Sequence, residues 1–244
     1  MNASRKDNPA IARMAKNAPE KKEKIIIIGA GEFAQIAHEY FMHDSPYEVV
    51  AFSAEKEFIK EPTLLNLPVI PFEEIERHYD PQRYAAYVAV TFTQLNRVRA
   101  RLYREAKKKG YRLVSYVSSY AFFWHNAEIG ENSFIFENND IQHMVKIGND
   151  VVIWGGSHIG HRTIIRDHVY IAPHCTISGY CDIGEYCFLG ANSTFKDQIK
   201  VERDCIIGSG AVVVKNTEAR RVYIGNPAKQ TEKDSFATFK VRDE

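Results

Sequence analysis

Residues 153–184 read IWGGSHIGHRTIIRDHVYIAPHCTISGYCDIG, and every sixth position is an isoleucine: Ile153, Ile159, Ile165, Ile171, Ile177 and Ile183. The series continues backward through Ile147, Ile141 and Ile135 to Ile129. Forward it runs through Leu189, Phe195, Val201 and Ile207 to Val213. A period of six fits neither a helix nor a simple strand, so it marks a repeat architecture. Short strands wound into a triangular coil satisfy it, with three hexads per turn and each aliphatic stacked on its equivalent eighteen residues away. The expected fold is a parallel β-helix. Two residues before each aliphatic stands a second, mostly small or β-branched column that includes Ser157, Thr163, Val169, Cys175 and Cys181. Glycine follows the aliphatic at Gly130, Gly148, Gly160, Gly184, Gly190 and Gly208. These glycines are expected to permit the unusual dihedrals of a turning backbone.

The rest of the 244 residues divides around this repeat. Residues 1–22 are polar and basic and are expected to be a disordered tail, with a short helix possible over Ala10–Ala18. Residues 23–118 form a first domain, 119–230 the coils, and 231–244 a C-terminal tail. A net charge of +1 argues against nucleic acid as a partner. No apolar run approaches the ~20 residues of a membrane span. No signal-peptide core is present, so a cytoplasmic protein is expected. All four cysteines (Cys175, Cys181, Cys187, Cys205) fall in one inward phase of the repeat. They are therefore expected to be buried free thiols rather than disulfides or zinc ligands, even though Cys187 and Cys205 lie one coil apart.

The first domain opens with a buried strand, Lys24 to Gly29, that carries four consecutive isoleucines. Gly29-Ala30-Gly31-Glu32-Phe33-Ala34 follows, then a helical pattern through Phe41. Strand, glycine turn and helix form the setting of a phosphate-binding G-x-G-x-x-A loop. The first glycine permits the turn, and the second lets backbone approach a phosphate. Further strands are expected at Tyr47–Phe52, Val69–Pro71, Tyr84–Val90 and Arg112–Val117, with a basic helix over Asn96–Lys109. This alternation predicts a Rossmann-like α/β domain with a parallel sheet. A nicotinamide dehydrogenase needs an acid at the end of the second strand. That strand ends Ala51-Phe52-Ser53-Ala54, and Glu55 comes too late. A mononucleotide or nucleotide-sugar site fits better, with Gly29, Gly31, Glu32, Phe33, Ser53, Thr91, Asn96 and Arg99 as its candidate residues.

Gly29-Ala30-Gly31, the segment Asn96-Arg97-Val98-Arg99, the I-G-x-x-x-x hexads and the terminal Val222-Tyr223-Ile224-Gly225-Asn226-Pro227-Ala228-Lys229 occur in that order. This layout resembles the sialic acid O-acetyltransferase family of hexapeptide-repeat acyltransferases. That family includes the bacillosamine-pathway N-acetyltransferase, which acts on a UDP-linked 4-amino sugar. The resemblance spans nearly everything from Lys24 to Lys229. It implies a left-handed β-helix, a homotrimer with sites between protomers, acetyl-CoA as cosubstrate and a nucleotide-linked sugar (UDP, dTDP or GDP) as acceptor. The expected activity is N-acetylation of an amino sugar for surface polysaccharide synthesis. Sugar O-acetylation is the alternative, and a non-catalytic trimeric scaffold that senses a nucleotide is a remote one.

The family's catalytic base is a histidine in the middle of the coils, and aligning the hexads puts His161 there. The acidic residue that follows it in many relatives is Arg162 here. Histidine suits removal of a proton from an attacking amine because its ordinary pKa is about 6.5. Direct attack on the thioester is expected, since no cysteine faces outward. Stepping by eighteen gives the column His125, His143, His161, Gly179. Gly179 is expected to be an open notch for the pantetheine arm, with its N–H as oxyanion donor. His158, with Asp140 one coil below it, competes as base. His143, Trp154 and Tyr170 are candidates for the groove. Gly190, Lys215, Asn226 and Lys229 join Gly179 as acetyl-CoA candidates. A zinc-dependent reading, as in trimeric β-helix carbonic anhydrases, lacks its third histidine because Arg166 stands at that place, so no metal is expected.

Overall fold

A computed structural model describes residues 20–242. The chain divides into two compact units. The chain up to Ala89 joins Lys109–Arg112 in one, and Val90–Lys108 joins the chain from Leu113 onward in the other. The sequence boundary at residue 118 is thus corrected. The basic helix belongs with the coils, to which Arg97–Asp204, Arg99–Asp150 and the Tyr103–His168 ring contact tie it.

In the first unit, β1 (Glu23–Ile28) pairs in parallel with β2 (Tyr47–Ala54) on one side and β5 (Ala85–Val88) on the other. β4 (Leu67–Pro71) adds to β2, and the short β3 (Thr63–Leu64) runs antiparallel at the edge. Ile25 to Ile28 are fully buried, as a parallel strand covered on both faces requires. α1 (Glu32–Asp44) presents Phe33, Ala34, Ala37 and Phe41 to the core, one helical stripe. Lys21 donates to the Phe41 and Ser45 carbonyls at 2.8 and 2.7 Å, so its cation holds the negative end of α1. Residues 20–22 are therefore ordered rather than part of a tail. The rest of the expected tail and the expected Ala10–Ala18 helix lie outside the described residues.

In the second unit, α3 (Arg97–Lys108) precedes the coils; α2 (Ile75–His78) is a single turn in the first unit. The coils begin at Tyr116–Val117, which pairs with Phe134–Ile135. Of the expected strand Arg112–Val117, Tyr116–Val117 joins the β-helix, while the Arg112 carbonyl accepts from the Ala86 N–H of β5 in the first sheet. From Tyr116 to Val213 every coil strand is two residues long, the second of each pair pointing inward, in three parallel ladders stepped by eighteen. Ile135 through Val213 at every sixth position form one buried core, with Cys175, Cys181, Cys187 and Cys205 in it as free thiols. Burial pushes the thiols of Cys175, Cys181 and Cys187 up. Each fully buried aliphatic contributes about 1.5–3 kcal/mol of transfer free energy.

The corners correct one expectation. Positive φ falls three residues after the aliphatic, at Asn132, Asn138, Asp150, Asn192 and Asp204 among others. Asn and Asp tolerate that region better than other side chains. The glycines directly after the aliphatic do not have it. A Cβ on Gly148, Gly184 or Gly190 would lie 2.3–2.6 Å from atoms one coil on. They supply space for coil stacking, not freedom to turn.

The three faces differ in chemistry. The face of Tyr170, Phe188 and Ile206 is covered within the unit by Phe92, Leu95, Phe236 and Phe239. The face of Glu128, Lys146, Ile164, Asp182 and Lys200 carries a charged ladder, including the Arg166–Asp182 pair at 2.8 Å. The third face carries Phe122, Asp140, His158, Thr176, Thr194 and Val212. Residues 231–242 are not a tail. Lys229–Asp234 is a strand antiparallel to Arg221–Ile224, and Asp234 caps the helix Ser235–Phe239 by accepting from the Phe236 and Ala237 N–H groups. No helix among the described residues is long and apolar enough to cross a membrane.

Candidate active site

His158 and His161 flank one corner of the coils: His158 ends up on the third face, and His161 on the turn toward the charged one. The His158 Nδ1 lies 2.9 Å from an Asp140 carboxylate oxygen, so its tautomer is set by a partner directly below it in the ladder. The His161 ring stacks parallel on His143, with centroids 5.5 Å apart and planes 8° from parallel. Tyr180 meets its edge at 5.2 Å. Arg162 has positive φ and directs its guanidinium to within 6.0 Å of the Tyr180 ring centre. Below this corner lies a cleft of about 460 Å³ lined by Phe122, Trp124, Asp140, Gln142 and His143.

Gly179 is not an open notch. A Cβ there would sit 2.6–3.0 Å from three atoms of the His161 ring, so the imidazole already fills the space of the missing side chain. Its N–H donates to Asp197 Oδ1 at 2.9 Å. It is therefore not a vacant oxyanion donor in this state. Asp197 is the next member of the same eighteen-residue column, and the signal that marks it in the sequence is that spacing alone.

Other candidates separate by burial. Gly29 has φ +137, and a Cβ would come within 2.4 Å of the Ala89 carbonyl oxygen, so only glycine closes this turn. Gly31 begins α1 with open space around it, the condition a close phosphate requires. Glu32 is exposed beside it. Phe33 points into the core and is corrected to a packing residue. The Ser53 hydroxyl is fully buried without a hydrogen-bond partner, and its carbonyl accepts from the Gly29 N–H.

Thr91, Asn96 and Arg99 lie in the second unit. Asn96 is buried and donates to the Tyr186 and Cys187 carbonyls. Arg99 is fully buried, its Nε 3.0 Å from Asp150 Oδ1. Asp150 also accepts from Asn132 and binds His168 Nδ1 at 2.8 Å. Asn96 and Arg99 therefore secure α3 to the coils and are corrected as ligand contacts. Tyr170 is buried beneath Phe92 and stacked on Phe188, so it lines no groove. Trp154 is half-buried, stacked on Phe136 at 4.3 Å. Gly190 is buried by the next coil and has no surface for a ligand. Lys215 is exposed in a shallow depression with Lys196, Asp197 and Asn216; Asn226 and Lys229 are exposed farther along.

The profile of the bacterial transferase hexapeptide (six repeats) matches residues 144–179 and 180–215. Among solved structures, the chain is similar to PerB from Caulobacter crescentus, solved with CoA and GDP-perosamine. Identity is 25%, the TM-score 0.74, and the match covers 88% of this chain and 100% of that one. It also resembles the acetyltransferase domain of PglB from Neisseria gonorrhoeae with acetyl coenzyme A (22%, TM-score 0.75, 86% and 100% covered). A third is WeeI from Acinetobacter baumannii (24%, TM-score 0.72, 85% and 100% covered). The coils are thus a left-handed β-helix joined to an N-terminal α/β domain. On its hexapeptide repeats and these matches along their whole length, the chain is similar to bacterial hexapeptide-repeat nucleotide-sugar acetyltransferases and is an acyltransferase.

Proposed function

We propose that the protein transfers the acetyl group of acetyl-CoA to the amine of a nucleotide-linked amino sugar. The observation that carries this reading is the match along the whole of PerB, a protein bound to both CoA and GDP-perosamine. It accounts for the glycine loop as well as the coils. Gly29 and Gly31 would take the nucleotide's phosphates at the start of α1. The exposed Lys215, Asn226 and Lys229 would meet the CoA nucleotide. The amine nitrogen attacks the thioester carbonyl and forms the C–N bond, His161 takes a proton from that nitrogen, and the C–S bond breaks to give CoA thiolate, which takes that proton back from His161 to leave as the thiol.

A second assignment of the base rests on one specific observation, the hydrogen bond from His158 to Asp140. A base oriented by a carboxylate is a familiar arrangement. Acetyl-CoA and a panel of UDP-, dTDP- and GDP-linked amino sugars, with products weighed by mass spectrometry, test the reaction; a product acetylated on a hydroxyl would move it to the O-acetyltransferases. His161→Ala should lower kcat by about 100-fold or more, and His158→Ala by much less. The reverse order would transfer the base role to His158.

The oligomer proposed is a homotrimer. Phe122 (53% exposed), Trp124 (41%) and Tyr180 (54%) leave large apolar side chains on the third face and its corner. The charged ladder suits solvent, and the face under Phe92 is already covered, which leaves this one for a second copy.

A further inference from the structure

Resting on the reading of His161 as base, the residue after it poses a problem: Arg162 supplies no carboxylate to steady the imidazolium that forms when the base takes a proton. Within a column of the β-helix, residues eighteen apart are cross-strand neighbours. The column through the base reads His143, His161, Gly179, Asp197, Lys215, so Asp197 is its one carboxylate among these positions. The His161 ring fills the space in which a side chain of residue 179 would stand. The next side chain up the column from that ring is therefore Asp197, which reaches back one coil to the Gly179 N–H at 2.9 Å. Ring and carboxylate meet at one glycine from opposite coils.

We propose that Asp197 is the acidic positioning residue of His161, delivered by the coil ladder instead of by the adjacent residue. Glycine at 179 is what makes this possible, since any other side chain would stand between the two. The groups around the ring are otherwise His143 below, Tyr180 at its edge and Arg162 beside it, with Lys196 and Lys215 flanking the carboxylate. None of these supplies a negative charge at neutral pH. Asp197 is exposed in the free protein, where water screens it; covering the corner with substrate removes that water and strengthens the pair.

The competing explanation is that Asp197 is a staple of the coil. Asn149 and Asp167 make the same bond, to the Glu131 and Asn149 N–H groups. Asn149 shows that an amide oxygen serves as well as a carboxylate for that bond, which provides the control. Asp197→Asn keeps an acceptor for Gly179 and loses the charge. In the full-length protein it should leave Tm within ~2 °C. The KM for acetyl-CoA should stay within about 2-fold while kcat falls about 10-fold or more. Asp197→Asn with the kcat of the native protein would overturn the proposal, and so would a loss of kcat confined to Asp197→Ala with a lowered Tm. His161→Ala separates the two levels: if it retains turnover, the base assignment itself fails and Asp197 loses its role with it. If His161→Ala is inactive and Asp197→Asn is not, only the present inference falls.

Discussion

Gly179 shows how one residue can carry two demands at once. Its missing side chain is the seat of the His161 ring, and its N–H holds Asp197. Gly179→Ala places a methyl 2.6–3.0 Å from three ring atoms. The ring can rotate out of the way because it is the end of a flexible side chain, so the fold should lose no more than about 1 kcal/mol. The base would lose its position, and an ångström of misplacement is enough to cost about 100-fold in kcat. Thermal unfolding alongside steady-state kinetics checks the split; equal losses in both would mean the glycine serves packing alone. Gly148, Gly184 and Gly190, whose missing Cβ is met by the next coil rather than by a functional ring, are the structural contrast.

At the scale of elements, α3 is fastened to the coils by a fully buried ion pair between Arg99 and Asp150, with His168 and Asn132 completing the carboxylate's partners. Arg99→Met keeps the length of the side chain and strands Asp150 as a buried charge. Breaking a buried pair in this way costs about 3–5 kcal/mol, which urea unfolding would measure. A loss below about 1 kcal/mol would mean that water or a rearranged His168 takes over. Arg97 adds a second fastening, lying 3.8 Å over the Tyr186 ring and bound to Asp204 at 2.5 Å. In the sequence this segment reads as a basic helix that lends Asn96 and Arg99 to a nucleotide site. Arg97 and Arg99 are instead consumed by Asp204 and Asp150, 107 and 51 residues away, a pairing no local pattern reveals. The C-terminal cap was missed for a related reason: Lys229–Asp234 has a polar composition, and it is a strand because Arg221–Ile224 offers it an edge.

For the whole molecule, the three faces of the coil allot three environments: one covered by the unit's own aromatics, one charged, and one with exposed Phe122 and Trp124 beside the histidines. A trimer that closes on the third face should give a solution mass of three chains by light scattering. Replacing both aromatics, Phe122→Glu with Trp124→Glu, should yield monomers that keep the far-ultraviolet spectrum of the fold. Retention of the trimer would place the interface elsewhere. An interface stable enough to survive dilution needs on the order of 1,200 Å² of total buried surface.

Reading the chain in hexads was enough to establish the β-helix, which residues face inward, the fate of the cysteines and the α/β character of the first unit. All of these follow from periodicity and local backbone demands, which are properties of residues near one another in the chain. The eighteen-residue column could even be written down in advance. Folding added what the column could not say: the His161 ring occupies the gap at Gly179, Asp197 answers the Gly179 N–H, and, away from the column, Arg99 and Asn96 turn inward to a buried acid and to carbonyls. Side-chain direction and burial depend on neighbours brought together from different coils and from α3. A hydrogen-bonding group buried without a partner is costly, so the partner that packing provides, not the residue's chemical type, settles its role.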